Sequence, residues 1–202
     1  MIKRVQASLK MAEECQSKLT PEVLELEGMS GVKGRHFFNA MCSFPGTRYL
    51  ELGVWCGSTF VSALYGNQET LDAAFAADNF SQFGNKEKVF RKNTERYLSD
   101  VQFQFVNQDC FTLDLNTMPG PFNVYFYDAD HSFEAQEKAF TYFNPVLAKR
   151  FVAIVDDWHN KPTVDGTRSA FEKLGYKIEF ETVAKGRMAD WWHGLFVAVV
   201  RK

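Results

Sequence analysis

The stretch Tyr49-Leu50-Glu51-Leu52-Gly53-Val54-Trp55-Cys56-Gly57-Ser58-Thr59 predicts a strand, a tight loop and the start of a helix. An apolar run leads into Glu51, and two glycines then bracket a three-residue turn. Gly53 and Gly57 can adopt positive φ, and they let a ligand approach the backbone because no Cβ is in the way. The free N–H groups at the helix start favour a ligand carboxylate or phosphate.

The spacing of the two glycines separates the ligand classes that use such a loop. A dinucleotide-binding loop has the order G-x-G-x-x-G, whereas this loop has G-x-x-x-G with Glu51 before it. A carboxylate at that position repels a pyrophosphate and attracts an ammonium group. S-adenosylmethionine (SAM) carries both an α-ammonium and an α-carboxylate and fits this loop better. The alternative is a glycine turn that serves only strand–helix packing.

Composition and charge limit the classes of partner. A chain of 202 residues is long enough for one hydrophobic core and short for two. A net charge of −2 gives no general attraction to a polyanion, which argues against a nucleic-acid partner. The four cysteines form no C-x-x-C pair and indicate reduced thiols of a cytoplasmic protein. Neither a membrane-spanning run nor a signal peptide is apparent, so no membrane association is expected.

Strands and helices alternate from residue 45 onward, which predicts an α/β fold with a Rossmann-like sheet and helices on both faces. The final two strands are joined by a short segment without a crossover helix and should be antiparallel. We expect residues 1–202 to form a single domain, with 1–44 as a helical cover and 45–202 as the core. The predicted strands are Arg48–Leu52, Asp72–Ala77, Val101–Asn107, Phe122–Tyr127, Phe151–Val155, Tyr176–Thr182 and Leu195–Val200.

Carboxylates follow or end five of these predicted strands. Right-handed crossovers place the carboxyl ends of the strands on one edge of the sheet, where open α/β sheets bind ligands. Acidic loop residues and helix caps explain one or two of these positions but not easily all of them. The residues are Glu51, Asp78, Asp109, Asp128 and the pair Asp156-Asp157.

Four residues after the second and third strands suit a nucleoside. Asp78 can accept hydrogen bonds from ribose hydroxyls, with a helix-cap aspartate as the alternative. Asp109 can accept from an adenine amino group while the Cys110 amide donates to the ring, although Asp109 also suits a turn. Phe80 can lie against the adenine, but in a chain with 20 phenylalanines core packing is the default expectation.

Asp128, Asp156 and Asp157 form a separate acidic group at the ends of two adjacent central strands. Like charges at short range raise each other's pKa and destabilise a fold unless a cation is present. Their hard oxygen atoms suit Mg²⁺ best, with Ca²⁺ or Mn²⁺ as alternatives. A divalent ion would lower the pKa of a substrate hydroxyl. The alternative is a protonated carboxylate that acts as a general acid or base without metal.

Two neighbouring residues, Asp130 and His131, are the candidate catalytic bases. An unperturbed histidine titrates near neutral pH, which makes His131 suited to accept a hydroxyl proton, and Asp130 competes for this role. A purely structural hydrogen bond at the helix N-terminus is the alternative for His131. His159 can reach the same edge, whereas His36 and His193 have no comparable sequence context.

These residues resemble a known family. Leu50–Gly57 is similar to motif I of class I SAM-dependent methyltransferases, and of catechol O-methyltransferase in particular. Ser30–Gly34 resembles the glycine/lysine segment that precedes motif I in that enzyme. Phe126–Asp130 is similar to the motif of caffeoyl-CoA O-methyltransferases, and Asp128–Glu134 resembles the macrocin-type O-methyltransferases. The resemblance covers most of residues 28–202.

The resemblance implies a seven-stranded sheet in the order 3-2-1-4-5-7-6 with strand 7 antiparallel, and metal ligation by Asp128, Asp156 and Asp157. The catechol type has asparagine where Asp157 stands and a lysine base where His131 stands. The macrocin type has the aspartate and points to Asp130 as the base, so the choice of base stays open. The predicted cofactor contacts, from the resemblance and the loop chemistry together, are Met29, Ser30, Glu51, Gly53, Gly57, Ser58, Asp78, Phe80, Asp109, Cys110 and Asp128.

The sequence therefore predicts a SAM-dependent methyltransferase that methylates a small-molecule hydroxyl with the help of a divalent metal. Tryptophans near the predicted site suit an aromatic or sugar acceptor, with ordinary packing as the alternative. The competing hypotheses are a metal-independent methyltransferase acting on protein or nucleic acid, and a non-catalytic SAM-binding module. A homodimer is compatible with the sequence. These tryptophans are Trp55, Trp158, Trp191 and Trp192.

Overall fold

A computed structural model describes residues 1–202, which contain a single seven-stranded sheet. In chain order the strands are β1 (Thr47–Leu52), β2 (Leu71–Asp78), β3 (Gln104–Asn107), β4 (Phe122–Tyr127), β5 (Leu147–Val155), β6 (Lys177–Ala184) and β7 (Leu195–Arg201). Their order across the sheet is β3-β2-β1-β4-β5-β7-β6. β7 is antiparallel to both β5 and β6, whereas the other neighbours pair in parallel. The predicted topology is confirmed.

Helices cover both faces of this sheet. They are α1 (Ile2–Glu13), α2 (Pro21–Leu24), α3 (Val32–Cys42), α4 (Ser58–Leu64), α5 (Glu87–Tyr97), α6 (Phe133–Phe143), α7 (Lys161–Lys173) and α8 (Met188–Trp191). Residues of α1, α3, α4 and α5 pack into one hydrophobic cluster, and residues of α6 and α7 pack into the other. None of these helices is both long and apolar enough to cross a membrane.

The central strands are apolar on both faces because each face has its own core. Along β1, Tyr49 belongs to one cluster and Leu50 to the other, as expected when successive side chains point to opposite faces. Phe60 of α4 packs with the first cluster and Phe140 of α6 with the second. The two clusters contain 28 and 23 buried residues, so neither face of the sheet is left open to water.

The register of the central strands brings their carboxyl ends level with one another. Leu52 pairs with Ala77 on one side and with Tyr127 on the other. Tyr127 in turn pairs with Val155 of β5. The residues that follow these four positions therefore emerge side by side along one edge of the sheet.

The N-terminal helix and the strands β5 and β3 differ from the sequence prediction by three residues or more at one end. The sequence predicts helical character over residues 3–19, but the first helix ends at Glu13, because Cys15 has a left-handed backbone with φ 51°. β5 begins at Leu147 rather than at Phe151, since Arg150 pairs in the sheet and its Nε donates to Glu179 Oε2 at 2.6 Å. β3 begins at residue 104 rather than 101. The start of β5 was missed because Lys149 and Arg150 interrupt the apolar pattern from which the strand was predicted.

Candidate active site

The loop after β1 is held between two neighbouring strands. The Gly53 amide donates to the Ala77 carbonyl at 2.9 Å, and the Asp128 amide donates to the Leu52 carbonyl at 2.8 Å. Gly53 has φ 87°, and a Cβ at this position would stand 2.0 Å from the Asp128 carbonyl oxygen. Only glycine therefore fits here without a shift of the backbone.

Glu51 lies behind this loop and does not line the cavity beside it. Its side chain is fully buried, and it accepts hydrogen bonds at 2.5 Å from the Tyr49 hydroxyl and from the Thr59 hydroxyl. Burial raises the pKa of the Glu51 carboxyl to about 8. The sequence predicted a direct cofactor contact for Glu51. Among Tyr49, Glu51 and Thr59, however, only Thr59 lines the cavity.

Asp78, at the end of β2, lines the cavity and holds the glycine loop. Its Oδ2 accepts from the amides of Val54 and Trp55, each at 2.8 Å. Its Oδ1 accepts from the amide of Phe80 at 2.7 Å. A carboxylate has about four acceptor positions, so three amides leave one position of Asp78 free for a ligand hydroxyl.

Phe80 belongs to the core rather than to the cavity wall. Its side chain is buried, and its ring centroid lies 6.3 Å from that of Phe90 and 5.9 Å from that of Phe105. The same loop instead exposes Phe83, which lines the cavity with 69% of its surface accessible. Phe80 therefore packs as the default for this residue type predicts, and its cofactor contact stays a prediction.

The remaining residues of the predicted cofactor set differ in their positions. Gly57 does not line the cavity; it has φ 84°, and a Cβ there would stand 2.8 Å from the Phe90 ring. Ser30 lines a small adjoining pocket, and its Oγ lies 3.2 Å from Ser58 Oγ. The other members line the main cavity, and these are Met29, Gly53, Ser58, Asp78, Asp109, Cys110 and Asp128.

Asp109 and Cys110 follow β3. The Asp109 side chain accepts from the Phe111 amide at 2.9 Å and so caps a short helical turn. Cys110 is 8% exposed, and burial raises the pKa of its thiol to about 12. The thiol is therefore neutral at physiological pH, and the residue offers the cavity its backbone and an uncharged side chain.

Arg35 supports the segment before α3, a role that no sequence motif predicted. Its side chain is almost fully buried, and its guanidinium donates to the Leu24 carbonyl at 2.9 Å and to the Leu26 carbonyl at 2.8 Å. Its Nε donates to Ser30 Oγ at 3.0 Å. Burying a cation without a carboxylate partner is costly unless its N–H groups are hydrogen-bonded. The guanidinium therefore holds the two carbonyls and the Ser30 hydroxyl in place.

The cavity has a volume of about 710 Å³ and lies along the carboxyl edge of the central strands. Trp55 and Trp192 are part of its wall. Trp158 instead stacks on Phe196 with ring centroids 3.9 Å apart, and Trp191 is buried in the core. One lysine, Lys138, and seven carboxylates line this space, and the acidic residues are Asp78, Asp109, Asp128, Asp130, Glu134, Asp156 and Asp157.

Asp128, Asp156 and Asp157 lie together on this wall. Asp156 is 6% exposed, and burial together with the charge of Asp157 raises the pKa of its carboxyl to about 7. Burial and the charges of the other two carboxylates raise the pKa of Asp128 well above its ordinary value. Such shifts mark a site that favours a bound positive charge or a retained proton.

His131 lies beside these carboxylates. Its Nε2 is 3.6 Å from Asp128 Oδ1 and 3.6 Å from Asp157 Oδ2, and burial lowers the pKa of the imidazole. Asp130 also lines the cavity, but its Oδ1 accepts from the Ser132 amide at 2.7 Å. Hydrogen bonds from the Ser132 side chain and amide lower the pKa of Asp130 and make it the weaker base.

His193 joins the acidic group although its sequence context gave no reason to select it. Its Nδ1 lies 3.0 Å from Asp157 Oδ1, and its ring centroid is 4.5 Å from that of His159. The ligand atoms of Asp157, His159 and His193 all lie within 4.8 Å of one another. Asp128 and Asp156 are not part of this group of three, and their side chains offer only oxygen atoms as ligands.

A sheet of this order, with a glycine loop after β1 and an acidic cavity across the strand ends, is the class I methyltransferase fold. Residues 50–158 match a family described as a methyltransferase domain. The chain therefore belongs to this family and is a SAM-dependent methyltransferase. No curated protein matches the sequence.

Solved structures similar to this chain include an O-methyltransferase from Bacillus cereus, with 17% identity, a TM-score of 0.61, and 98% of this chain and 91% of that chain covered. A protein from Staphylococcus aureus, described as a caffeoyl-CoA O-methyltransferase, has 14% identity, a TM-score of 0.63 and coverages of 95% and 91%. TrmN from Thermus thermophilus has 14% identity, a TM-score of 0.64 and coverages of 90% and 52%. The chain thus spans about half the length of TrmN. At these identities the likeness shows the fold.

Proposed function

We propose that the protein transfers the methyl group of SAM to a hydroxyl oxygen of a small molecule. The observation that carries this proposal is the position of Asp128, Asp156, Asp157 and His131 on the wall of the same cavity as the glycine loop. A pure SAM-binding module has no use for a group of carboxylates that repel one another. The cavity is lined mainly by acidic side chains, which favours a neutral or cationic acceptor over a nucleic acid.

The residues that line the cavity fit SAM. Asp78 keeps one acceptor position for a ribose hydroxyl, and Cys110 offers a backbone amide to an adenine ring. Met29, Gly53 and Ser58 surround the part of the cavity next to the glycine loop and would hold the amino-acid end. When bound, SAM supplies an electrophilic methyl group. The chain contributes orientation and exclusion of water around the acceptor oxygen.

The three carboxylates also fit a divalent cation. The raised pKa values of Asp128 and Asp156 mean that, without a cation, the site retains protons that a divalent ion would displace. Asp128, Asp156 and Asp157 would hold it, and their oxygen atoms suit Mg²⁺. When bound, such an ion lowers the pKa of an acceptor hydroxyl.

We assign the role of general base to His131. Its imidazole is neutral at physiological pH because burial lowers its pKa, so it can accept a hydroxyl proton. Asp128 and Asp157, each 3.6 Å from Nε2, would stabilise the imidazolium that results. Asp130 is the alternative base.

We also propose that residues 1–202 work as one methyltransferase domain, with 1–44 as its helical cover. Arg4 of α1 supports this, because its Nε donates to the Met41 carbonyl at 3.0 Å and its guanidinium donates to Thr47 Oγ1 at 2.7 Å. The cover is thereby joined to the first residue of β1.

The test is methyl transfer by the purified protein from labelled SAM to a panel of catechols, other phenols and sugars. The proposal expects transfer to at least one hydroxyl acceptor, loss of transfer with a chelator, and loss in Asp156→Asn. Transfer that persists in the chelator would remove the metal from the mechanism. SAM binding without transfer to any acceptor would favour the non-catalytic module.

A further inference from the structure

We propose that Asp157, His159 and His193 form a binding site for a transition-metal ion such as Zn²⁺, which shares Asp157 with the all-oxygen magnesium site but uses two imidazole nitrogens as its other ligands. This metal site extends the proposed function, and any role of the ion in catalysis rests on that proposed function. Binding of the ion itself does not require methyl transfer. The ligand set is one carboxylate oxygen and two imidazole nitrogens.

The first observation is the concentration of histidines around one carboxylate. The chain has only four histidines. His193 and His131 approach the two oxygens of Asp157 at 3.0 and 3.6 Å, and His159 lies against His193. The fourth, His36, is buried in α3, and its Nδ1 is hydrogen-bonded to Ser17 Oγ at 2.7 Å.

The second observation is the distance between the ligand atoms. All three lie within 4.8 Å of one another, and the oxygen and nitrogen of Asp157 and His193 are already 3.0 Å apart. Ligand atoms around a tetrahedral Zn²⁺ are about 3.3 Å apart, given metal–ligand distances of about 2.0–2.1 Å. Small side-chain rotations would therefore bring the set around one ion.

The backbone holds the two histidine-bearing loops together. The Trp158 amide donates to the Gly194 carbonyl at 3.2 Å, so this bond joins the neighbours of His159 and His193. The Asn160 amide donates to the Asp157 carbonyl at 2.9 Å and closes a turn around the same segment. The three ligand residues thus sit on a connected frame rather than on independent loops.

The chemistry of the donors selects the ion. Mg²⁺ prefers oxygen atoms and water, whereas imidazole nitrogen favours Zn²⁺, Co²⁺, Ni²⁺ and Fe²⁺. Asp157 and His193 line the cavity, and His159 is exposed at its edge, so water or an acceptor oxygen can reach the remaining coordination positions. Three protein ligands with an open position are typical of catalytic rather than structural zinc sites.

The test titrates Co²⁺ into the full-length protein after treatment with a chelator and follows the visible absorption of the bound ion. The variants are His193→Ala, His159→Ala and their double variant, with Asp156→Asn as the matched control from the all-oxygen group. Calorimetric SAM binding checks that each variant is folded.

We expect Co²⁺ to bind the wild type and to be displaced by Zn²⁺ but not by a large excess of Mg²⁺. Each histidine variant should weaken Co²⁺ binding by about tenfold or more. Asp156→Asn should change the affinity for Co²⁺ little. Co²⁺ binding that survives the double variant, or that is lost only in Asp156→Asn, would overturn the site, as would a wild type that binds no Co²⁺. Co²⁺ binding without any methyl transfer would leave this site standing while the proposed function fails.

Discussion

The carbonyl oxygen of Asp128 occupies the space that a Cβ on Gly53 would need, at a separation of 2.0 Å. The glycine of the cofactor loop and the first carboxylate of the acidic group are therefore packed backbone to backbone. A change in one moves the other.

Gly53→Ala should thus damage both parts of the site at once. The left-handed backbone alone costs about 1–2 kcal/mol for a residue with a Cβ, and the collision with Asp128 adds to that cost. We expect a loss of folding stability larger than this figure in urea unfolding, and SAM affinity lowered by about tenfold or more. Gly84→Ala is the matched control, since Gly84 has φ 77° and nothing within 4 Å of the added Cβ. Equal losses in both variants would contradict the packing argument.

The buried carboxyl of Glu51 predicts a specific pH dependence of stability. The folded protein keeps this proton up to a pKa of about 8, whereas the unfolded chain releases it near the ordinary value of 4.5. Between these values the folded state binds more protons, so the Glu51 contribution to stability falls as pH rises, by at most about 1.4 kcal/mol per pH unit. Below about pH 4.5 the Glu51 contribution to stability is fully present, and above about pH 8 it is fully lost.

Glu51→Gln removes this titration and keeps a polar group near Tyr49 and Thr59. We expect the variant to gain stability relative to the wild type steadily from pH 5 to pH 8 in urea unfolding. Glu69→Gln on the exposed surface serves as control and should show no such trend. A constant difference between Glu51→Gln and the wild type across that range would show that the carboxyl is ionised throughout.

His131→Gln tests the assignment of the base. If His131 accepts the hydroxyl proton, kcat for the acceptor should fall by about 100-fold or more. SAM affinity should change little, because the imidazole lies among the carboxylates rather than at the glycine loop. Asp130→Asn is the paired variant and should have the smaller effect on kcat. The reverse order of the two effects would move the base to Asp130.

Arg35→Met should loosen the segment that Arg35 holds. The carbonyls of Leu24 and Leu26 and the hydroxyl of Ser30 would lose their donor. Ser30 contacts Ser58 at the cavity, so SAM affinity should fall by about tenfold. Limited proteolysis between residues 24 and 30 should become faster, measured against the exposed-surface variant Arg91→Met. Unchanged SAM affinity and cleavage would contradict the supporting role.

The sequence predicted all seven strands because the alternation of strand and helix patterns constrains them strongly. Phe122–Tyr127 was predicted as observed, and the order of the seven strands, which the resemblance to class I methyltransferases implied, is confirmed. The direction of individual side chains was less accessible. Glu51 points into the packing between β1 and α4, and Phe80 turns into the aromatic core. Both orientations depend on neighbours that are distant in sequence.

His193 was overlooked for a topological reason. It precedes a strand, whereas the other candidate residues follow or end one. β7 runs antiparallel to β5, so its beginning lies at the same edge as the end of β5, as the pairing of Phe196 with Val155 shows. Residues just before an antiparallel strand therefore lie at the same edge of the sheet as residues just after the parallel strands.

The acidic lining of the cavity has a consequence for turnover. SAM carries a positive sulfonium centre, and the thioether left after methyl transfer is neutral at that atom. Even with protons retained on Asp128 and Asp156, the acidic side chains outnumber the one lysine around this space. Under the proposed function the field therefore attracts the charged donor, and this attraction weakens at the moment of reaction. The chemistry itself would then loosen the spent molecule and clear the site for the next donor.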